Sequence, residues 1–86
     1  MTPMQEAETL IKEAISDAHV EVTDLTGTAD HLGILIVSDE FKGKLLIDQH
    51  QMIMDILKES LKERIHAVQL KTMTKAKYER TRNQEN

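Results

Sequence analysis

Apolar side chains in the first half of the chain predict one helix followed by two strands. Between residues 2 and 18 they recur every three or four positions, the spacing of a helix that buries one face. Residues 19–25 alternate between polar and apolar, which is typical of a half-buried strand. After a turn at 26–30, residues 32–38 are apolar on both faces and predict a second strand, joined to the first as an antiparallel hairpin. Gly33 inside this strand indicates a bulge or the close approach of another backbone.

The second half of the chain predicts a short helix, a long helix, a strand and a last helix. Residues 38–41 fit a helical turn that ends at Gly43, and residues 44–61 fit a longer amphipathic helix. The apolar stripe of this longer helix comprises Leu46, Ile47, Ile53, Met54, Leu57 and Leu61. A strand over 65–72 and a helix over 75–82 complete the pattern.

These elements predict an α+β fold in the order α-β-β-α-α-β-α. The simplest arrangement that buries the apolar stripes is one three-stranded sheet with the helices packed on one face. Residues 1–82 are therefore expected to form a single domain. Residues 83–86 have no apolar side chain to bury and are expected to form a frayed tail.

The amino-acid composition excludes several classes of function. An 86-residue chain supports one domain with a thin core, and the absence of cysteine excludes disulfides, a thiol nucleophile and a self-sufficient thiolate metal site. The sequence has no glycine-rich phosphate loop and no recognisable serine nucleophile motif, so a non-enzymatic protein is expected. The apolar runs are too short to span a membrane, and the start of the chain does not resemble a signal peptide. A cytoplasmic location without membrane association is the expectation.

Charge is distributed unevenly along the chain. Residues 1–40 hold one lysine against nine carboxylates, whereas residues 71–86 hold five cations against two carboxylates. A protein with an acidic face and a basic edge suits a protein partner better than a long polyanion.

Two of the four histidines are candidate metal ligands. His31 precedes the apolar run of the second predicted strand and His66 is the second residue of the third, so both imidazoles could project from a rigid sheet. A structural zinc needs four protein ligands and an iron–sulfur cluster usually takes thiolates, so a metal held here would need ligands from another molecule. His50 lies on the helix stripe and is expected to be buried and hydrogen-bonded, while His19 lies on the polar side of the first strand and is expected at the surface.

Two blocks of sequence resemble the BolA-like proteins. Residues 37–46, VSDEFKGKLL, followed by His50, resemble the central block of that family, and residues 65–72, IHAVQLKT, resemble its closing strand. The resemblance extends over roughly residues 5–82. It implies a fold related to the type II KH domain, with a mixed sheet in which strands one and two are antiparallel and strand three is parallel to strand one.

The resemblance also implies a function in iron–sulfur cluster assembly, cluster trafficking or iron regulation, together with a monothiol glutaredoxin. In such a complex a [2Fe-2S] cluster bridges the two proteins. The glutaredoxin cysteine and a glutathione thiolate hold one side, and the BolA-like protein supplies the other side with the residues that correspond here to His66 and His31. No cluster is expected in the isolated protein, whose cluster-free form is expected to be a monomer.

The surfaces expected to contact this partner are the loop between the short and long helices and the basic stretch that begins in the third strand. These residues are Phe41, Lys42, Gly43, Lys44, Lys71, Lys75 and Lys77.

DNA-binding transcriptional regulation through the KH-like fold is the alternative function. KH domains grip the nucleic-acid backbone with a Gly-x-x-Gly loop, but the corresponding segment at 41–44, FKGK, has one glycine. The basic residues that could contact phosphates are Lys42, Lys44, Lys71, Lys75, Lys77, Arg80 and Arg82. The acidic first half of the chain opposes a polyanion, so any DNA binding is expected to be weak.

Overall fold

The computed structural model describes residues 3–27, 31–63 and 67–84, and it has all seven elements in the predicted order. They are α1 (Pro3–Ala14), β1 (His19–Asp24), β2 (His31–Val37), a 3₁₀ turn (Asp39–Phe41), α2 (Leu46–Glu63), β3 (Ala67–Met73) and α3 (Lys75–Gln84). The α+β class is confirmed. The last helix ends at Gln84, two residues beyond its predicted end, so half of the expected tail is helical. None of the described helices is both long and apolar enough to cross a membrane.

The three strands form one mixed sheet in the order β1-β2-β3. β1 pairs with β2 antiparallel and β3 pairs with β2 parallel, so β3 runs antiparallel to β1. The expectation that strand three is parallel to strand one was therefore wrong. The direction of β3 is set by α2, because a crossover helix carries the chain from the end of β2 back to the edge where β2 began.

One face of the sheet, the core face, packs against α1 and α2. Strand side chains alternate between faces, and the even-numbered residues Val20, Leu32, Ile34 and Ile36 are buried on this one. The core consists of Ala7, Ile11, Ile15, Val20, Leu32, Ile34, Ile36, Phe41, Ile53 and Leu57. Each large side chain fully buried here contributes about 1.5–3 kcal/mol of transfer free energy.

The stripe predicted for α2 is buried only in part. Ile53 and Leu57, one turn apart, are fully buried, but Leu46, Ile47 and Met54 are 59%, 74% and 37% exposed. Ile47 and Met54 are about 120° and 100° around the helix from Ile53, and Leu46 is the first residue of the helix, beyond the part that packs on the core.

His50 also differs from its prediction. The side chain is half-buried, and its Nε2 atom is buried without a hydrogen-bond partner in the part of the chain that the structure describes. The imidazole that was expected to be buried and hydrogen-bonded is thus only half-buried, and its Nε2 atom lacks the expected hydrogen bond among the described residues.

Gly33 lies in an unbroken strand. Its pairing with Thr23 of β1 and Gln69 of β3 continues the register on both sides, so there is no bulge. A Cβ atom at this position would lie 3.4 Å from the Cδ2 atom of Leu25, whose side chain is 47% exposed. The group that approaches Gly33 is thus a side chain and not another backbone.

The second face of the sheet, the open face, carries the odd-numbered side chains of the three strands. α3 reaches this face, because the Tyr78 hydroxyl donates a hydrogen bond to Oε2 of Glu21 over 2.9 Å. Val37 and Met73 at the same end of the open face are buried and lie outside the main core cluster. The prediction that the helices pack on one face of the sheet therefore holds for α1 and α2, whereas α3 contacts the open face.

Candidate metal-ligating edge and open face

His31 is the first residue of β2 and is exposed. Its neighbour Leu32 is fully buried in the core, so strand alternation places the His31 side chain on the open face. The backbone at this point is fixed, because the Leu25 amide donates to the His31 carbonyl over 2.9 Å. His31 is thus an accessible imidazole on a backbone held by the sheet.

The parallel pairing of β2 with β3 places the starts of both strands at one edge of the sheet. His31 is the register partner of Ala67, the first residue of β3, which is also exposed. His66 precedes Ala67 in the chain and lies outside the described residues. Within the described ranges, no group of three or more His, Cys, Asp or Glu side chains could hold a metal ion.

A shallow groove of about 370 Å³ lies on the open face and begins at Gly33, two residues along β2 from His31. Its odd-numbered residues form two rows across the sheet. One row is Thr23, Gly33 and Gln69, and the next is Glu21, Leu35 and Lys71. Gly33 lacks a side chain at the centre and Leu35 is half-buried, so the middle of the groove is low and apolar.

The two rims of the groove carry opposite charges. Glu21 is on β1 and Lys71 is on β3, two strand spacings or about 10 Å apart between backbones. The hydrogen bond with His19, whose Nε2 lies 2.8 Å from Oε2, and that from the Tyr78 hydroxyl lower the pKa of the Glu21 carboxyl, although desolvation opposes them. The same contact with Glu21 raises the pKa of the Tyr78 hydroxyl. Glu21 is therefore a fixed negative charge.

Tyr78 also holds α3 in place. It is the one large apolar residue of a helix that is otherwise polar, and the Arg82 guanidinium lies 5.5 Å from the centroid of its ring. His19 is exposed, as expected, and its ring centroid lies 5.3 Å from that of Tyr78. The contact between Tyr78 and Glu21 joins residues 57 positions apart, and no sequence pattern signalled it.

The residues predicted to contact a partner do not form one surface. Phe41 is only 1% exposed and belongs to the core, so its side chain is not available to a partner and that part of the prediction was wrong. The 42–44 loop is exposed, with Gly43 at a φ of 76° that favours glycine. This loop and the start of α3 follow the ends of β2 and β3, whereas His31 is at their beginnings, about 20 Å away along a seven-residue strand. Lys71 alone lies on the open face.

Residues 6–77 match the family model of the BolA-like proteins, which is most of the chain. The chain belongs to the BolA-like family. It is 34% identical over 76 residues to BolA-like protein 2 of Mus musculus, a match that covers 86% of this chain and 87% of the mouse protein. It is 30% identical over 76 residues to the DNA-binding transcriptional regulator BolA of Escherichia coli, covering 80% of this chain and 72% of that protein.

Solved BolA structures have the same fold. The BolA domain of SufE1 from Arabidopsis thaliana superposes with a TM-score of 0.82 at 27% identity, covering 90% of this chain and 96% of the domain. The arrangement of three helices on a three-stranded mixed sheet is thus the BolA fold.

Several basic residues of this BolA-like protein are paired with carboxylates. Lys75 Nζ lies 3.6 Å from Asp17 Oδ2, Lys42 Nζ lies 4.0 Å from Asp39 Oδ2, and Arg82 lies 3.9 Å from Glu79. These pairs are solvent-exposed, so each contributes little stability, but each reduces the local positive potential. Three of the seven predicted phosphate-contacting residues therefore have a carboxylate partner.

Asp17 is a structural residue that the sequence did not single out. It accepts hydrogen bonds from the Ser38 hydroxyl over 2.6 Å and from the Asp39 amide over 3.1 Å. Asp39 in turn accepts a bond from the Lys75 amide over 3.3 Å at the start of α3. The loop after α1, the end of β2 and the start of α3 are joined by these carboxylates.

Proposed function

We propose that this BolA-like protein binds a monothiol glutaredoxin and co-ligates a bridging [2Fe-2S] cluster through His66 and His31, in cluster assembly, trafficking or iron regulation. The observation that carries the proposal is the parallel register between β2 and β3. It pairs His31 with Ala67, and Ala67 is covalently joined to His66. His31 and the residue that follows His66 in the chain are thus register partners at the starts of adjacent strands.

The donor set fits a shared cluster better than a resident metal ion. Two imidazoles are half of a four-ligand set, and the chain has no cysteine to complete it. Neutral imidazole is an established iron ligand, and histidine in place of thiolate raises the reduction potential of a [2Fe-2S] centre. Because an imidazole must be neutral to bind iron, such ligation is sensitive to pH near neutrality. The exposure of His31 leaves its ring open to a partner protein.

The test is co-reconstitution of the protein with a monothiol glutaredoxin, iron, sulfide and glutathione, followed by visible absorption and circular dichroism. His66→Ala is expected to change the cluster spectrum and accelerate cluster loss, and His31→Ala to shift the same bands, because each variant removes an imidazole ligand. His19→Gln is the matched control. His19 is also an exposed strand histidine, but its register partner is Val37, at the other end of β2 from His31.

Size-exclusion chromatography of each variant shows whether the complex forms. A wild-type spectrum from His66→Ala in an intact complex would exclude the proposed ligation. Spectral changes of equal size in His19→Gln would contradict it as well, since that residue is about 20 Å from the proposed site.

The second candidate function is DNA binding, which the name of the Escherichia coli relative favours. Each phosphate contact adds about −0.9 to the slope of log K against log salt on duplex DNA. With Lys42, Lys75 and Arg82 already paired to carboxylates, four of the seven candidate contacts remain, so we expect a slope no steeper than about −3.6 and no sequence discrimination. A slope of about −5 or steeper with clear sequence preference would favour the regulator function instead.

A further inference from the structure

We infer that the glutaredoxin partner covers the open face of the sheet, from the His31 edge to the row of Glu21 and Lys71, and not the 42–44 loop. The inference rests on the proposed function and assigns a surface to its partner. It combines three observations: the continuity of this face with the candidate ligand His31, its shape, and its charges.

Continuity comes from strand alternation. His31, Gly33 and Leu35 are at successive odd positions of β2, so all three lie on the open face. The row that contains Leu35 is about 13 Å from His31, within the footprint of a protein domain that shares a cluster there. The 42–44 loop comes after the 3₁₀ turn that follows the other end of β2.

The shape of this face suits a protruding loop or strand of a protein. The groove of about 370 Å³ is shallow and crosses all three strands. Its centre is Gly33, and the three atoms that would lie nearest to a Cβ at this position all belong to the side chain of Leu25, which is itself 47% exposed. Gln69 and Lys71 on the β3 side are exposed. Tyr78 of α3 reaches the opposite end and leaves the His31 end uncovered within the described part of the chain.

The charges specify the occupant. Lys71 on one rim attracts an acidic side chain, and Glu21 on the other rim attracts a basic one and repels a polyanion. Glu21 is held in place because Tyr78 and His19 both contact its Oε2 atom. The segment of the glutaredoxin that fits this groove carries two groups. An acidic side chain lies opposite Lys71, and an apolar side chain enters the groove at Gly33.

Two variants test this assignment by titration calorimetry against a cluster-loaded monothiol glutaredoxin with glutathione. Lys71→Glu reverses the rim charge, and its matched control is Lys44→Glu, another exposed lysine at the other end of the sheet. Gly33→Val fills the groove, and the neighbouring Leu25 side chain has room to move toward solvent. Valine favours strands, so thermal unfolding of this variant is expected to stay at or above the wild-type temperature.

We expect Kd to rise about tenfold or more for Lys71→Glu and for Gly33→Val, and less than about twofold for Lys44→Glu. The spectrum of the complex at saturation is expected to remain wild type, because no ligand changes. Binding of both open-face variants within twofold of wild type, or an equal loss in Lys44→Glu, would overturn the inference. A failure of the ligand assignment is separate, since it shows in the spectra of the histidine variants and not in these affinities.

Discussion

Phe41→Ala is expected to lower the free energy of unfolding by about 3–5 kcal/mol, the usual cost of truncating a buried phenylalanine. The side chain is 1% exposed and is the largest of the fully buried residues. Its ring packs in the core cluster beneath the 3₁₀ turn, where a truncation leaves a cavity that the fixed backbone cannot fill. The backbone is fixed because the Phe41 carbonyl accepts bonds from the Lys44 amide and from Nε2 of Gln49.

The free energy of unfolding lost in Phe41→Ala is large relative to the total stability of the domain. A domain of 86 residues has about 4–13 kcal/mol of total stability, so the variant is expected to be only marginally folded at 37 °C. Urea unfolding followed by circular dichroism measures the free energy of unfolding of the variant and of the wild type. Leu45→Ala is the matched control, because Leu45 is also a large apolar residue near this turn but is 71% exposed, and its change is expected to stay within about 0.5 kcal/mol. Equal costs for the two variants would contradict the burial assignment.

This pair of residues shows how far the sequence can predict the fold. Periodicity predicts every element, because burial on one side of a helix or strand repeats at a fixed interval. It cannot decide how far along α2 the core extends, so Leu46 and Ile47 were expected inside. Phe41 follows two acidic residues and precedes a lysine, and no local pattern distinguishes a core anchor there from a contact residue.

In the candidate site, too, the sequence predicts individual residues but not the contacts between distant segments. The sequence and its family resemblance singled out His31 and His66. The pairing of His31 with Ala67 depends on the direction of β3, which alternation within one strand cannot specify. The groove at Gly33 and the contact of Tyr78 with Glu21 likewise arise between distant segments, so the open face became visible only in three dimensions.

Ser38→Ala is expected to cost about 2 kcal/mol at neutral pH, because the hydroxyl is buried and its acceptor is charged. Ser38 is fully buried, and its Oγ atom both donates to Asp17 over 2.6 Å and accepts from the Glu40 amide over 3.0 Å at the start of the 3₁₀ turn. The variant therefore removes a charged hydrogen bond and a cap at once. Ser16→Ala is the matched control, since Ser16 is exposed in the adjoining loop and its loss is expected to be small.

The pH dependence of the destabilisation by Ser38→Ala shows whether it comes from the hydrogen bond to the Asp17 carboxylate. The Ser38 hydroxyl is the largest cause, ahead of the Asp39 amide, that holds the pKa of Asp17 below its ordinary value of 3.8, against a smaller opposing effect of desolvation. A carboxyl whose pKa is lowered by folding stabilises the fold above the unfolded pKa and loses that contribution as pH falls through the folded pKa. The stability gap between wild type and Ser38→Ala is thus expected to be full at pH 7 and to narrow below about pH 4. Urea titrations at pH 7 and pH 2.5 measure it, and a gap that stays constant between them would show that the Asp17 carboxylate does not supply the stabilisation.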